Sequence, residues 1–379
     1  MGNHTSKPRE AVHKIRQVAS PLSPLKRKKA EIAKNIETPV KQKYDWLSCY
    51  NATPQNPKPQ ELPEEYEFSD FVIHHDQQLG EGAFAKVVLA THLPTKKKVA
   101  VKIITKRKIP EEMKEYVAKE PGALASLKHK NIVSLYLVHE DTNYIYMFLQ
   151  FMAGGDLHSR LERDGAVSEE NAREWFKQIL SALEFTHSNK FCHRDLKLEN
   201  LLISGEGKKA KILMIDYGFA GYMPDDEHLF TDFPGSFCYA APELIQGIPY
   251  NGTYADVYSL GVILYTILQS CYPFYCEEKR EMTKMILYDA VEFDTYISAP
   301  ARELIRWMLS KKPEQRPTLE QIRNHPWVSP EPLVSPSLIK ASVKSPMSPI
   351  KNTVYRIKET ARASLSPVPS RRRRTSVMP

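Results

Sequence analysis

The chain has 379 residues, 42% of them hydrophobic, enough to bury one large core or two lobes. Its five cysteines (Cys49, Cys192, Cys238, Cys271 and Cys276) form no CxxC pair, which argues against a disulfide framework or a structural zinc and points to a reducing compartment. The net charge of +8 is uneven: residues 1–43 carry 11 Lys/Arg against 3 Asp/Glu and residues 329–379 carry 10 against 2, leaving 32 against 40 for 44–328. An acidic body between two basic tails is no argument for a nucleic-acid-binding fold, and no nucleic-acid partner is expected. No apolar run reaches the ~18–20 residues of a membrane span, and no signal-peptide core follows Met1.

The N-terminus reads MGNHTSKP and fits M-G-x-x-x-[ST], which makes Gly2 a candidate for myristoylation. One acyl chain binds membranes only marginally. Lys7, Arg9, Lys14, Arg16 and the KRKK run at 26–29 would supply a second, electrostatic signal toward an anionic membrane surface. KRKK also reads as a nuclear import signal, against an otherwise cytoplasmic expectation, or as a plain solvated run. The Pro-rich stretch ATPQNPKPQELPEE (52–65) reads as an extended linker, and residues 1–70 together read as a disordered basic tail and linker.

The first ordered signal is QLGEGAFAKVVLATH (78–92), then KKVAVKII (97–104). Alternating apolar residues on both sides of the glycines predict a strand, a glycine turn and a returning strand. Gly80 and Gly82 suit a loop that approaches phosphate closely, though hairpin turns use the same residues. Lys102 follows Val99-Ala100-Val101. Farther on, FCHRDLKLENLLI (191–203) places Asp195, Lys197 and Asn200 in a short irregular stretch before an apolar strand. The strand in KILMIDYGFA (211–220) then delivers Asp216 to a glycine turn. If these strand ends are neighbours, they combine oxygen ligands for Mg²⁺, a lysine for phosphate charge and a carboxylate to orient a hydroxyl.

In this order LGEGAFAKV, VAVK, HRDLKLEN, DYG and APE resemble the eukaryotic protein kinase family, serine/threonine type. They are similar to its calcium/calmodulin-dependent and AMP-activated-type members. The resemblance runs from about Phe71 to Val328, where NHPWV matches the usual end of the domain. It implies an α+β, two-lobed protein kinase fold: a small antiparallel β lobe with one main helix (71–152) and a larger, mostly helical lobe (153–328). It also implies ATP and Mg²⁺ as cofactors and protein substrates as partners.

Residue by residue, the resemblance places Leu79, Gly80, Glu81, Gly82, Ala83, Phe84, Ala85, Lys86 and Val87 around the ATP phosphates. Ala100, Leu202 and the backbones of Gln150 and Met152 would line the adenine, with Leu149 as gatekeeper. Lys102 would hold the α- and β-phosphates and pair with Glu120. Asp195 would accept the substrate hydroxyl's proton, Lys197 would steady the transferred phosphate, and Asn200 and Asp216 would bind the metal. Glu243 and Arg316 would form a buried ion pair, and Asp256 would brace the catalytic loop. Asp156 and Glu199 would face an arginine upstream of the phosphoacceptor, or Asp156 would bind the ribose.

Several positions depart from the family pattern. Ala85 replaces the third glycine, Tyr217 the Phe of DFG, and Tyr258 the usual Trp. In KEPGALASL (119–127), Pro121-Gly122 directly follows Glu120. A proline inside a helix costs roughly 3 kcal/mol, so the helix is either kinked or broken beside its key glutamate. An active kinase and a nucleotide-binding pseudokinase scaffold both remain open on that point. In FTDFPGSFCYAAPE (230–243), Asp232 falls where related kinases carry a phosphorylated threonine, and Arg194 is the arginine that grips that phosphate. Asp232 then reads as a built-in charge, with Thr231 phosphorylation optional, or as one more exposed acid beside Asp225, Asp226 and Glu227.

Residues 329–379 read as a second disordered basic tail, rich in Ser and Pro. Across both tails, Ser20, Ser23, Thr38, Ser329, Ser335, Ser345, Ser348 and Ser366 each precede a proline and suit proline-directed kinases. RRRRTS (371–376) suits an arginine-directed kinase acting on Thr375 or Ser376. The 350–365 segment has near-helical apolar spacing and is a candidate docking helix.

Overall fold

The computed structural model describes residues 66–330. Gly2, the basic runs, the 52–65 linker, the 350–365 segment, RRRRTS and the Ser/Thr-Pro sites other than Ser329 lie outside the described residues. Five antiparallel strands form the first layer in the order β1-β2-β3-β5-β4: β1 (Phe71–Glu81), β2 (Ala85–His92), β3 (Lys98–Thr105), β4 (Leu135–Glu140) and β5 (Tyr144–Gln150). Alternation along β3 sends Val99, Val101 and Ile103 into an outer-face cluster with Phe71, Val88, Ala90 and Phe148. That leaves Lys102, opposite Val87 and Met147, on the inner face.

The outer face is covered by residues that the sequence reading assigns to the tail. The Tyr66 ring meets His92 edge-on at 5.1 Å and lies 5.5 Å from Tyr136. Phe68 stacks on His139 at 4.0 Å. The small lobe therefore includes Tyr66 and Phe68, which leave no periodic signature: one ring precedes a single 3-10 turn (Phe68–Asp70) and the other opens it. At the other end Ser329 is also tied down, its hydroxyl donating to Arg323 O at 2.8 Å.

Helix α1 (Lys114–Ser126) packs on the sheet and runs unbroken through Pro121 and Gly122, burying Val117, Glu120 and Leu124. The chain then passes through Gly154, where a side chain's Cβ would sit 1.9 Å from Ile203 O. Only glycine permits that approach. Helix α2 (Leu157–Asp164) and α3 (Glu169–Ser188) follow, then two short antiparallel pairs: β6 (Phe191–Cys192) with β9 (Gly221–Tyr222), and β7 (Leu201–Ser204) with β8 (Lys211–Met214). The rest is helical: α4 (Pro242–Gln246), α5 (Gly252–Gln269), α6 (Lys279–Tyr288), α7 (Ala299–Met308) and α8 (Leu319–Asn324). Helix α5 is apolar nearly all round and correspondingly buried. Among the described residues, no helix is long and apolar enough to cross a membrane. This is the α+β, two-lobed arrangement that the sequence implies.

Glu243 and Arg316 form a two-pronged pair at 2.6 and 2.7 Å, with side chains 3% and 0% exposed. The remaining guanidinium donors reach Ser310 O and Tyr254 O, both at 2.9 Å. Removing one partner would leave the other charge buried and unpaired. Glu243→Ala should cost about 3–5 kcal/mol of folding stability, read as a lowered urea midpoint, and an unchanged midpoint would contradict the burial of Arg316.

Candidate active site

Both sheets and helices deliver polar groups to the cleft beneath β3. Lys102 Nζ donates to Glu120 Oε1 at 2.6 Å and to Asp216 Oδ1 at 3.1 Å. Burial works to lower the ammonium's pKa, but Asp216 and Glu120 outweigh it and raise it above its ordinary value. In return, Lys102 holds the Asp216 carboxyl down at about 2, against the opposing effect of burial. The charges that would face phosphate are therefore fixed at neutral pH.

The loop that carries Asp195 leaves β6 and is anchored from below by α5. The Asp256 carboxylate, almost wholly buried, accepts from His193 N at 2.8 Å and Arg194 N at 2.9 Å, with the His187 ring Nε2 at 2.8 Å. Arg194 and Asp216 both have φ of +62°. Non-glycine residues adopt this left-handed backbone rarely, and such strain persists where surrounding bonds over-determine it.

Asp195 follows Arg194 and is held on both oxygens. Oδ1 accepts from Ser236 N and Oγ, each at 3.1 Å, and Oδ2 from Lys197 Nζ at 2.5 Å. Lys197 also reaches Ser236 Oγ at 3.2 Å. Asn200 spends its amide nitrogen on Asp195, at 2.8 Å to the backbone oxygen and 3.2 Å to Oδ2. Its backbone carbonyl accepts from Ile215 N at 2.9 Å, which sets Asn200 beside Asp216. The side-chain oxygens left, one amide and one carboxylate, are hard donors and fit Mg²⁺.

Tyr217 lies 4.8 Å from the His193 ring, and its hydroxyl pairs with Thr186 Oγ1 at 2.9 Å, which supplies the partner a buried Tyr needs. Tyr258, also buried, has a hydroxyl without a partner among the described residues. At the hinge, Gln150 N–H is committed to Ser134 O at 2.9 Å. Gly80 and Gly82 flank the β1–β2 turn, with Ala85 opening β2 and pairing with Ile104. Asp156 caps α2, accepting from Ser159 N at 2.8 Å and Ser159 Oγ at 2.9 Å.

Asp232 pairs with Arg194, Oδ1 to Nη1 at 2.7 Å. Arg194 also donates through Nε to Phe219 O at 2.9 Å and stacks on the Phe230 ring at 4.2 Å. Gly221 makes room for this stack, since a Cβ there would lie 2.5 Å from the Phe230 ring and 3.0 Å from Arg194 Nε. The Asp232 carboxyl, despite partial burial, is held below its ordinary value by the Tyr116 hydroxyl and Arg194. Sequence reading misses Tyr116, Phe230 and Gly221. The one available signal was that Tyr116 precedes Glu120 by four residues and so shares its helix face.

The chain matches the family described as protein kinase domain over residues 73–328. It is also similar to Serine/threonine-protein kinase SIK1 of Rattus norvegicus, at 37% identity over 257 residues. That stretch covers 68% of this chain and 33% of the relative, so the chain spans about a third of that protein's length.

Proposed function

The chain belongs to the protein kinase domain family, and from that premise we propose that it transfers the γ-phosphate of ATP to serine or threonine hydroxyls of protein substrates. The observation that carries the proposal is the assembled cleft: Lys102 against Glu120 and Asp216, and Asp195 against Lys197, Ser236 and Asn200. Lys102 would hold the α- and β-phosphates. Asp195 takes the hydroxyl's proton as the substrate oxygen bonds to the γ-phosphorus and the bridging oxygen leaves on ADP. Lys197 balances charge on the moving phosphoryl group. Asn200 and Asp216 would hold Mg²⁺, which when bound would supply neutralising charge to the phosphates. The pseudokinase alternative rested on Pro121-Gly122, and α1 continues through both.

The pairing of Arg194 with Asp232 supports a second element of the proposal: activity without an upstream activating kinase. A carboxylate carries about half to two-thirds of a phosphate's charge but can still satisfy one guanidinium. On the substrate side, we infer a moderate preference for one upstream arginine. Asp156 is occupied in capping α2, whereas Glu199 accepts only a long bond, 3.4 Å, from Tyr239 OH. Thr266, where some kinases add a further acid, is fully buried. An anionic-membrane contact through Gly2 and the basic run, proline- and arginine-directed kinases acting on the tails, and a cytoplasmic location are proposals carried by the sequence alone.

Asp195→Asn should leave nucleotide binding nearly intact while kcat falls by about 10²–10⁴-fold. Asp216→Asn should weaken Mg·ATP handling itself. Equal phosphate transfer by wild type and Asp195→Asn would overturn the catalytic assignment. Protein made without phosphorylation should be active, and Asp232→Ala should lower that activity more than Thr231→Ala. An inert preparation that revives on Thr231 phosphorylation would refute the built-in charge. A peptide array should show enrichment for a single basic residue upstream that Glu199→Ala erases; no enrichment sinks the specificity reading.

A further inference from the structure

Beneath the loop that carries Asp195, a nitrogen, a sulfur and an oxygen converge from three elements. His187 lies in the last turn of α3, Cys192 ends β6, and Asp256 projects from α5. The ligand atoms they offer (a ring nitrogen, Cys192 Sγ and a carboxylate oxygen) all lie within 4.8 Å of one another. Cys192 and Asp256 are buried, and the His187 side chain, 12% exposed, gives the cluster its edge on solvent.

The thiol has no strong partner and no room to withdraw. Its neighbour is the thioether of Met223, with Sδ 2.9 Å from Sγ, a weak acceptor. On the other side, a Cβ on Gly252 would lie 2.8 Å from Cys192 Sγ, so α5 packs directly on the sulfur. Burial pushes the thiol's pKa well above its ordinary value, and Asp256 adds to the rise. The resting group is therefore the neutral thiol, which a coordinated cation deprotonates.

The mixture of donors decides which cation they suit. Mg²⁺ takes oxygen ligands, whereas thiolate, imidazole and carboxylate together suit Zn²⁺. Zn²⁺ holds such ligands at about 2.0–2.3 Å, which sets them roughly 3.3–3.6 Å from one another in a tetrahedron. The 2.8 Å contact between His187 Nε2 and Asp256 Oδ2 then opens by about half an ångström. Asp256 Oδ1 keeps its bond from Arg194 N.

We propose that His187, Cys192 and Asp256 form a Zn²⁺ site, with a water at the solvent edge beside His187 as the fourth ligand. On binding, the thiol proton goes to solvent and the imidazole moves its proton from Nε2 to Nδ1. The ion cross-links α3, β6 and α5 under the loop. No Cys-x-x-Cys spacing announces the site, because two of its ligands are 64 positions apart. The proposal does not depend on the phosphate-transfer reading.

Co²⁺ stands in for Zn²⁺ at such sites and reports thiolate ligation as a near-ultraviolet charge-transfer band. The full chain, freed of metal and held in excess Mg²⁺ to cover Asn200 and Asp216, should show this band on adding one equivalent of Co²⁺. Zn²⁺ should then abolish the band and raise the thermal unfolding midpoint. Cys192→Val, which keeps an apolar side chain in β6, should lose the band and about tenfold or more in Zn²⁺ affinity. His187→Gln, which keeps an amide donor for Asp256, should lose the same, while Cys276→Ser should keep both. No band in the wild type, or a band that survives Cys192→Val as adventitious binding at another thiol, would overturn the site. If Cys192→Val does not fold, His187→Gln decides: a retained band rejects the proposal.

Discussion

The candidate active site depends on one carboxylate buried beneath it. Asp256, projecting from the fully packed helix α5, takes the backbone N–H groups of both His193 and Arg194. Those two bonds hold Arg194 in a left-handed backbone that its side chain would not otherwise favour. The twist separates neighbouring side chains: Arg194 turns to the activation segment and Asp195 to Lys197 and Asn200. A loop held only by its own bonds could not keep two adjacent residues serving two different parts of the cleft. Rigidity originates in the helical core and is passed outward through a pair of hydrogen bonds.

Above this base Arg194 is matched to a single carboxylate. Asp232 brings a single negative charge to Arg194, and Phe230 fills the space over the guanidinium where Gly221 offers no side chain. A site built for a phosphate needs more cationic capacity than one guanidinium, given roughly −1.5 to −2 charge on the phosphate at neutral pH. The local geometry suits a carboxylate. The Lys102 ammonium, by contrast, is shared between two carboxylates, Glu120 and Asp216, so the same lysine ties the small lobe's helix to the strand end that carries Asp216.

Much of this was legible in the sequence because chemistry and chain punctuation coincide there. Lys102 ends an apolar strand, Asp216 precedes a glycine turn, and Asp195, Lys197 and Asn200 lie within six residues of one another. Partners across long separations were legible only through the family resemblance, as with Glu243 and Arg316. The fate of Pro121-Gly122 was not legible: propensity alone permits a break, and the packing of Val117 and Leu124 in the core keeps the helix whole. Tyr116 was invisible for a different reason. Its role comes from a hydroxyl meeting a carboxylate 116 positions away, and no periodicity encodes such a meeting. Nor did the motif boundary at Phe71 register Tyr66 and Phe68, whose contribution is two rings laid on a sheet and no regular element.

Those two rings bear on how the domain can be handled as a separate piece. A fragment cut at the first motif strand would strip the cover from Phe71, Phe148, Tyr136 and Tyr146 and bare a contiguous aromatic face on the small lobe. Exposed apolar faces of that kind recruit one another. Such a fragment would retain every residue of the cleft and still be a poor, self-associating protein. Its failure in solution would be mistaken for a catalytic defect, so the workable boundary for expression lies upstream of Tyr66.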